Sequence, residues 1–311
     1  MPAPPAWPEV MKIDLHMHTT VSDGTDRPEE LIARVREAGI SIFSVTDHDA
    51  IKGAVLVAGL LADSGDGTAA ATPDLPPLRF LPGSEFSCKD AYGKYHILGY
   101  GYDPAAPAIN ALVNKGHRFR IEKALRRLDF LDQSFGFRFS REDQEAFLAL
   151  DNPGKPHLAN LMVQYGYAPD KDTAIKSFIN KRKGYSPYFQ PEEAISAILN
   201  SGGIPVLAHP AFGDGDQLIL GEEMESVLMH LREYGLRGME AFYSGFSPKI
   251  MLEQVELAER YGFLVTCGSD YHGRNKLVRL GDTGPWPYPG ISREHVEELL
   301  AEFLAVALPN H

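Results

Sequence analysis

Apolar residues in this chain follow two alternating patterns, which predict strands and helices in turn. Short runs rich in apolar and β-branched residues, typical of strands, lie at 12–18, 41–45, 79–81, 204–207 and 263–266. Longer stretches with proline near the first turn or glycine at the end, typical of helices, lie at 28–39, 191–200, 222–234 and 248–261. This alternation predicts parallel β/α units, and hence an α/β fold.

Two segments interrupt the alternation. The stretch 63–77 is rich in glycine, alanine, proline and aspartate and has little periodicity, which predicts an exposed loop. The stretch 103–190 contains no clear strand, and its helical patterns lie at 109–130, 155–165 and 172–181. We therefore expect this second stretch to be a helical insertion between barrel strands.

These patterns divide the chain into three parts. Residues 11–102 and 191–285 are expected to form a discontinuous barrel, with 103–190 inserted as a helical domain. Because candidate site residues flank the insertion on both sides, we expect it to lean over the site. The last segment, 286–311, is expected to form a C-terminal helix that packs on the barrel.

Composition and charge narrow the classes of function. The chain has 311 residues, 44% of them hydrophobic, which suits a globular protein with a large core. Its net charge of -12 argues against a broad basic surface for duplex nucleic acid. No apolar run is long enough to span a bilayer, and residues 1–8 lack the apolar core of a signal peptide. We expect a cytoplasmic enzyme that does not bind membranes.

Histidines and carboxylates stand at or near the ends of the predicted strands. His16 and His18 are two residues apart in a strand, so their side chains point the same way, and Asp270 and His272 repeat this spacing. Other candidates with similar placing are His48, His96, His209, Glu85 and Asp23. In a β/α barrel the carboxyl ends of the strands form the active site. Imidazole mixed with carboxylate there predicts a hydrolytic site with several metal ions.

Single members of this set have simpler interpretations. One His-x-His pair can arise by coincidence, and Asp23 lies in Ser22-Asp23-Gly24, an ordinary turn sequence. A lone glutamate such as Glu85 is more often a solvated loop residue, although a carboxylate is also the usual bridge between two divalent ions. The repetition along the chain is what favours the metal site.

The combined motifs resemble those of the PHP (polymerase and histidinol phosphatase) superfamily of metal-dependent phosphoesterases. The matching segments are Asp14-Leu15-His16-Met17-His18-Thr19, Ser22-Asp23-Gly24, Thr46-Asp47-His48-Asp49, Gly83-Ser84-Glu85, His96-Ile97-Leu98-Gly99, Ala208-His209-Pro210 and Gly268-Ser269-Asp270-Tyr271-His272. The resemblance covers about residues 11 to 285 and implies a distorted seven-stranded (β/α) barrel with a trinuclear metal centre.

The resemblance also implies how the ligands are shared. His16, His18, Glu85 and Asp270 would hold the first ion, Glu85, His96 and His209 the second, and Asp23, His48 and His272 the third. Asp47 is expected to hydrogen-bond to ligand imidazoles, and Glu240 is not among the implied ligands. His117, His230, His295 and His311 are interpreted as background residues.

Within the superfamily, three segments of the insertion narrow the choice. Residues 118–125, 155–159 and 183–187 resemble the branch that contains 3',5'-nucleoside bisphosphate phosphatases and a related 5'-to-3' exoribonuclease. Arg118, Arg120 and His157 are the candidates for binding a substrate phosphate. The simpler interpretations are a solvated helix face for the arginines and a helix-start residue for His157.

The function we expect is hydrolysis of a phosphomonoester by a metal-activated hydroxide, with no protein nucleophile. The substrate would be a nucleotide, such as a nucleoside 3',5'-bisphosphate or 5'-AMP, or a short RNA 5' end. Two or three divalent ions per site, manganese, iron or zinc, would be the cofactors. The alternatives are a phosphatase for another small ester such as histidinol phosphate, a metal-dependent amidohydrolase, and a non-catalytic accessory module.

Overall fold

The computed structural model describes residues 12–63, 78–213, 218–284 and 290–308. Seven strands form one sheet in chain order. They are β1 (Ile13–Asp14), β2 (Ile42–Val45), β3 (Arg79–Lys89), β4 (Lys94–Tyr100), β5 (Ile204–Leu207), β6 (Gly238–Tyr243) and β7 (Leu264–Gly268). The sheet curls until its first and last strands meet, since the Leu15 N–H donates to the Cys267 carbonyl at 3.0 Å. The expected fold class, a distorted seven-stranded α/β barrel, is confirmed.

The direction of β4 corrects the expectation of a fully parallel sheet. This strand pairs antiparallel with both β3 and β5, whereas the other neighbouring pairs are parallel. The physical reason is the connection, because β3 turns directly into β4 through residues 90–93 and leaves no room for a crossover helix. His96 therefore enters the site from the beginning of its strand.

Six helices accompany the barrel strands. They are α1 (Pro28–Glu37), α2 (Lys52–Asp63), α7 (Pro191–Asn200), α8 (Gly221–Glu233), α9 (Pro248–Tyr261) and α10 (Arg293–Ala307). Proline at the start and glycine at the end are effective signals here, since Ser247 caps α9 and Gly262 ends it in the left-handed region at φ 68°. Phe303 of α10 packs edge-on against Tyr100 of β4, with ring centroids 5.4 Å apart. No helix in the described ranges is long and apolar enough to cross a membrane.

Residues 103–190 have a core of their own. The helices there are α3 (Pro107–Phe135), α4 (Arg141–Leu148), α5 (Lys155–Gln164) and α6 (Lys171–Thr173). Buried side chains from these helices, among them Leu128, Phe147 and Met162, form a hydrophobic cluster separate from that of the barrel. The helical pattern at 172–181 is irregular in the structure, with a π-turn at Ala174–Phe178 followed by a 3₁₀ turn at Ile179–Lys181. The predicted loop at 63–77 lies outside the described residues from position 64 onward.

Candidate metal centre

The nine candidate ligands converge at one end of the barrel, around the buried carboxylate of Glu85. Its Oε1 lies 2.8 Å from His96 Nδ1 and 3.2 Å from His209 Nε2. Its Oε2 lies 3.0 Å from His48 Nδ1. Glu85 is fully buried, so its two oxygens face separate histidines with no contact with bulk water.

A second carboxylate shares two of the histidines. Asp270 Oδ1 lies 3.6 Å from His16 Nε2 and 3.4 Å from His18 Nε2. The same two nitrogens approach Glu85 Oε2 to 3.3 Å and 3.2 Å. His16, His18, Glu85 and Asp270 therefore surround one point, as the resemblance implies for the first ion.

The remaining ligands form a neighbouring group around Asp23. His272 Nε2 lies 3.3 Å from Asp23 Oδ1, and His48 Nε2 lies 4.0 Å from the same oxygen. His18 Nδ1 is 3.9 Å from it and joins this group as well. The donor atoms of His209 group with those of His16 and Asp270, and those of His96 with His48 and Glu85. The implied second group, Glu85 with His96 and His209, is joined through Glu85 Oε1, which lies near a nitrogen of each histidine.

The backbone is strained at three positions around this centre. Asp49, His209 and Asp270 are the non-glycine residues with positive φ in the described ranges, at 51°, 28° and 57°. Side chains other than glycine's adopt this region at a cost of about 1–3 kcal/mol, and such residues cluster at functional sites. Two of the three are candidate ligands, and the third follows the ligand His48.

Glu240 orients two of the ligands and is the residue that the sequence interpretation missed. Its Oε1 accepts a hydrogen bond from His16 Nδ1 at 3.0 Å, and its Oε2 accepts one from the His209 backbone N–H at 2.8 Å. A carboxylate behind a ligand histidine fixes which ring nitrogen faces the metal. The available signal was its place inside the apolar strand β6, where it is the single charged residue.

Asp47 was expected to hydrogen-bond to ligand imidazoles, but it acts on one of them only through Ser22. Its oxygens accept hydrogen bonds from Thr19 N and Oγ1 at 2.8 and 2.7 Å and from Ser22 Oγ at 2.6 Å. The Ser22 hydroxyl in turn lies 3.3 Å from His18 Nδ1. Asp47 therefore contacts no ligand imidazole and holds the loop that presents one.

The charges of the centre favour added cations. Although burial lowers the pKa of His18, the neighbouring carboxylates of Asp270 and Glu85 raise it to about 9. Burial lowers the pKa of His48 to about 4, so this ring is neutral and free to coordinate. Burial raises the pKa of Glu85, but the surrounding imidazoles hold it well below its ordinary value. Metal ions would replace the protons that the carboxylates otherwise attract to the rings.

Unpaired donor atoms provide a direct test of whether these residues fit metal ions. Six buried atoms of the centre have no hydrogen-bond partner within the described residues, namely His16 Nε2, His18 Nε2, Asp23 Oδ1, His48 Nδ1, Glu85 Oε2 and His209 Nδ1. Buried polar atoms without partners are costly and rare. All six atoms belong to residues of the groups whose donors lie closely enough to share an ion, and we conclude that the donor set fits divalent metals.

The three candidate phosphate-binding residues lie in different surroundings. Arg120 is largely buried and occupied, since its Nε donates to Asp49 Oδ2 at 2.6 Å and its Nη2 to Ser87 Oγ at 3.1 Å. Arg118 is exposed. His157 is half-buried at the start of α5, where its Nδ1 accepts from the Gly154 N–H at 3.1 Å. Burial lowers the pKa of His157, and the charge of Asp23 opposes this.

The open space beside the centre is lined by two further polar side chains. This space, of about 260 Å³, is bordered by Phe212, Tyr243 and Lys276 together with five candidate ligands, namely His48, Glu85, His96, His209 and Asp270. Tyr243 donates its hydroxyl to Asp270 Oδ2 at 2.9 Å, and Lys276 contacts the same oxygen. Lys276 is therefore a cation next to the proposed first ion. The sequence did not predict this position, because the residues around Lys276 resemble those around any surface lysine.

The insertion contacts the loops that carry the ligands. Asn152 donates to the backbone carbonyl of His48, and Lys171 donates to Asn275 Oδ1 at 3.0 Å. Asn275 in turn donates to the Asp23 carbonyl at 2.6 Å. Thus 103–190 contacts the third ligand group directly through Asn152 and, by way of Asn275, through Lys171.

The histidines interpreted as background lie elsewhere. His117 Nδ1 is 3.0 Å from the Asp151 carbonyl, His230 pairs with Asp90 at 2.7 Å, and His295 pairs with Glu259 at 2.8 Å. These three residues belong to none of the groups that could hold a metal. His311 lies outside the described residues.

The sequence matches a family profile described as "PHP domain" over residues 14–234. The chain is also similar to three curated proteins that are named for different reactions. The 3',5'-nucleoside bisphosphate phosphatase of Chromobacterium violaceum is 30% identical, over 95% of this chain and 99% of that protein. The phosphoribosyl 1,2-cyclic phosphate 1,2-diphosphodiesterase of Eggerthella lenta is 30% identical, over 84% and 94%. The 5'-3' exoribonuclease Rnm of Salmonella typhimurium is 28% identical, over 86% and 87%.

Among solved structures, one from Bifidobacterium adolescentis superposes over nearly the whole chain. It is assigned as a metal-dependent phosphoesterase, has a TM-score of 0.76 and 25% sequence identity, and 98% of each chain is covered. The similarity therefore includes 103–190 as well as the barrel.

Proposed function

Because this chain belongs to the PHP domain family and is a metal-dependent phosphoesterase, we propose that it hydrolyses a phosphomonoester of a nucleotide. The substrate would be a nucleoside 3',5'-bisphosphate, a 5'-nucleotide or the 5' end of a short RNA. The observation that carries the proposal is the convergence of nine candidate ligands, Glu85 and Asp270 among them, beside an open space lined by Lys276. Among the relatives named above, one is a 3',5'-nucleoside bisphosphate phosphatase and another is a 5'-3' exoribonuclease.

We propose that the ions are divided among the ligands as follows. His16, His18, Glu85 and Asp270 hold one ion, Glu85 with His96 and His209 a second, and Asp23, His48 and His272 a third. When bound, divalent ions lower the pKa of water and neutralise charge that develops on phosphoryl oxygens. The mixed imidazole and carboxylate donors suit manganese, iron or zinc.

The chain's own residues position and neutralise the substrate. Lys276, held against Asp270, presents an ammonium group to the open space and would bind a phosphoryl oxygen. Asp270 is kept anionic there, because burial raises its pKa but Lys276 and His16 lower it well below the ordinary value. Tyr243 donates to the same carboxylate oxygen that Lys276 contacts and helps to fix its orientation.

We propose distinct roles for the three candidate phosphate-binding residues of the insertion. His157 lies close enough to Asp23 to sense its charge, and it would bind the substrate on the side of the third ion. Arg120 supports the site through its buried pair with Asp49. Arg118, being exposed, would meet only the outer part of a substrate. The segment 103–190 would act as the part of the enzyme that selects the substrate.

The test is phosphate release from four compounds in the presence of manganese. These are adenosine 3',5'-bisphosphate, 5'-AMP, histidinol phosphate and an aryl phosphate. We expect turnover of the nucleotides to exceed that of histidinol phosphate, and we expect His16→Ala to remove it. Preference for histidinol phosphate would replace the proposed substrate class, and release from none of the four would contradict the proposed function.

A further inference from the structure

A second cavity, of about 830 Å³, lies between α3, the β3–β4 hairpin and the segment 179–190. Its volume falls in the range of ligand pockets, roughly 300–1,000 Å³. Six cationic side chains line it, namely Lys89, Lys94, Lys123, Lys155, Arg127 and Arg182. A concentration of positive charge in one place is unexpected in a chain of net charge -12. We call this space the insertion cavity.

Two of these cations, the buried Lys123 and the half-buried Arg127, form no ion pair within the described residues. Lys123 is only 7% exposed, and within the described ranges no carboxylate forms an ion pair with it. Its Nζ lies over the ring of Tyr188, 4.0 Å from the centroid. Arg127 has a buried Nη1 with no hydrogen-bond partner among the described residues. Buried unpaired cations are unfavourable, so a bound anion would relieve this cost.

The one carboxylate that lines the insertion cavity is already engaged. Asp90 Oδ2 pairs with His230 Nε2 at 2.7 Å, and its Oδ1 accepts from the Tyr95 hydroxyl at 3.2 Å. The same Oδ1 accepts from the Tyr92 backbone N–H at 2.8 Å. Asp90 therefore stabilises its own turn, and it does not neutralise Lys123 or Arg127.

Two tyrosines also line the insertion cavity. Tyr185 is 66% exposed, with the Arg126 guanidinium 5.4 Å from its ring centroid, and Tyr188 carries Lys123 over its ring. Arg182 donates to the Tyr185 carbonyl at 2.8 Å and holds the segment in place. Aromatic rings among cations are the features that bind single-stranded nucleic acid, since bases stack on the rings while phosphates contact the cations.

The insertion cavity lies further along the β3–β4 hairpin that carries Glu85 and His96 of the metal centre. Ser87 pairs with the candidate ligand His96 in the β3–β4 ladder. Two residues further along the hairpin, Lys89 pairs with Lys94. Two residues along a strand advance about 7 Å. Arg120, which donates to Ser87 Oγ, precedes Lys123 and Arg127 by three and seven residues, a spacing that places all three on one face of α3.

We propose that the insertion cavity binds the nucleotides that follow the hydrolysed phosphate in a single-stranded oligonucleotide. The phosphodiester groups contact the cations, and a base stacks on Tyr185. The inference rests on the proposed function and deepens it, because it makes short oligonucleotides better substrates than mononucleotides. A free nucleotide offers the same phosphate and base, so it is the alternative occupant of the insertion cavity.

The experiment compares 5'-phosphorylated oligoribonucleotides of increasing length, starting from the mononucleotide. For the wild-type enzyme we expect KM to fall with length by about tenfold, the contribution of one stacked base and its phosphate. The variant K123M/R127Q is expected to lose this gain while its kcat and KM for the mononucleotide change less than about twofold. Tyr185 is exposed, so Tyr185→Ala should have little effect on folding. It should lose part of the fall in KM with substrate length. Lys249→Met, an exposed lysine on α9, is the matched control.

Several outcomes would overturn the inference. A wild-type KM that does not vary with length, or a K123M/R127Q variant that keeps the wild-type length dependence, would do so even if the mononucleotide is hydrolysed normally. A free nucleotide that binds at a second site without any effect of substrate length would assign the cavity to a separate ligand. If no length is hydrolysed, the proposed function fails, and fluorescence anisotropy of a labelled oligonucleotide then decides whether Lys123 and Arg127 bind it.

Discussion

Glu240 accepts a hydrogen bond from Nδ1 of His16 at 3.0 Å, and both side chains are fully buried. The bond places the other ring nitrogen, Nε2, between the carboxylates of Glu85 and Asp270. The second oxygen of Glu240 fixes the backbone of His209 at its strained φ of 28°. One carboxylate thus orients ligands from two different strands, although it contributes no donor atom to the metal groups.

Replacing Glu240 by glutamine should weaken metal binding more than it weakens the fold. The amide keeps the size of the side chain but removes the charge that favours the Nδ1–H form of His16, and loss of such a partner typically lowers metal affinity by about 10- to 100-fold. A manganese titration of phosphatase activity is expected to shift by that factor, with activity recovering at high manganese.

The matched control for this variant is Glu256→Gln, an exposed glutamate on α9. It should leave the manganese titration unchanged. If the Glu240→Gln enzyme titrates like this control, the orienting role of Glu240 is wrong.

Gly268 should not tolerate a side chain, because the wall of the metal centre lies against it. A Cβ at this position would come within 2.2 Å of His16 Cβ and 2.4 Å of Glu240 Oε1. Gly268→Ala should therefore lower the free energy of unfolding by about 1–3 kcal/mol and weaken metal binding. In contrast, Gly59→Ala in α2 meets nothing within 4 Å and should raise stability by up to about 1 kcal/mol. Urea denaturation of both variants checks the contrast, and equal effects would contradict it.

Arg120→Met should destabilise the protein even in the absence of substrate. Its partner Asp49 is buried at 5% exposure, and removing one member of a buried ion pair costs about 3–5 kcal/mol. The exposed Arg118→Met on the same helix should change stability by less than about 0.5 kcal/mol. A substrate-binding arginine would instead raise KM with little loss of stability, so unfolding curves together with KM values separate the two roles.

Oligonucleotide binding should strengthen as the pH falls through 7. Burial and the neighbouring cations lower the pKa of Lys123 to about 7, with Asp49 opposing them. The groups that face Lys123 are Arg120 and Arg127 on α3, Asp49 after β2, Lys155 on α5 and the ring of Tyr188.

The sign follows from the protonated form, which binds anions. A bound phosphate raises the pKa of Lys123, so affinity is full below about pH 7 and declines as the pH rises above it. Dissociation constants measured from pH 6 to pH 9 should show this decline for the wild type but not for Lys123→Met. The labelled probe is an oligonucleotide without a terminal phosphate, because phosphodiesters do not titrate in this range whereas a phosphomonoester has a second pKa of about 6. Parallel curves for the two proteins would contradict the assignment.

The sequence was most informative where local signals and long-range geometry agree. Helix α9 begins and ends at the predicted residues, because Ser247, Pro248 and Gly262 act through their own backbone. The nine ligand candidates meet because strands that lie side by side in one sheet bring their ends together. Neither result needs knowledge of side-chain packing.

Features that depend on tertiary contact could not be read in this way. Whether β4 runs parallel or antiparallel depends on the short turn before it. The residues of the strand itself, Tyr95 to Gly99, do not indicate its direction. Glu240 and Lys276 look like other acids and lysines until the sheet places them beside His16 and Asp270. The cations of the insertion cavity are far apart along the chain and become one site only when α3 packs across the hairpin.

The most direct test of the central claim is the metal content of the protein measured together with its phosphatase activity. Wild-type protein is stripped with a chelator, reloaded with manganese, desalted and measured by inductively coupled plasma mass spectrometry, in parallel with Glu85→Ala. We predict two or three ions per wild-type chain with phosphate release from adenosine 3',5'-bisphosphate, and loss of at least one ion and of activity in the variant. A wild-type protein that retains no manganese, or a Glu85→Ala variant with full metal content and activity, would contradict the account.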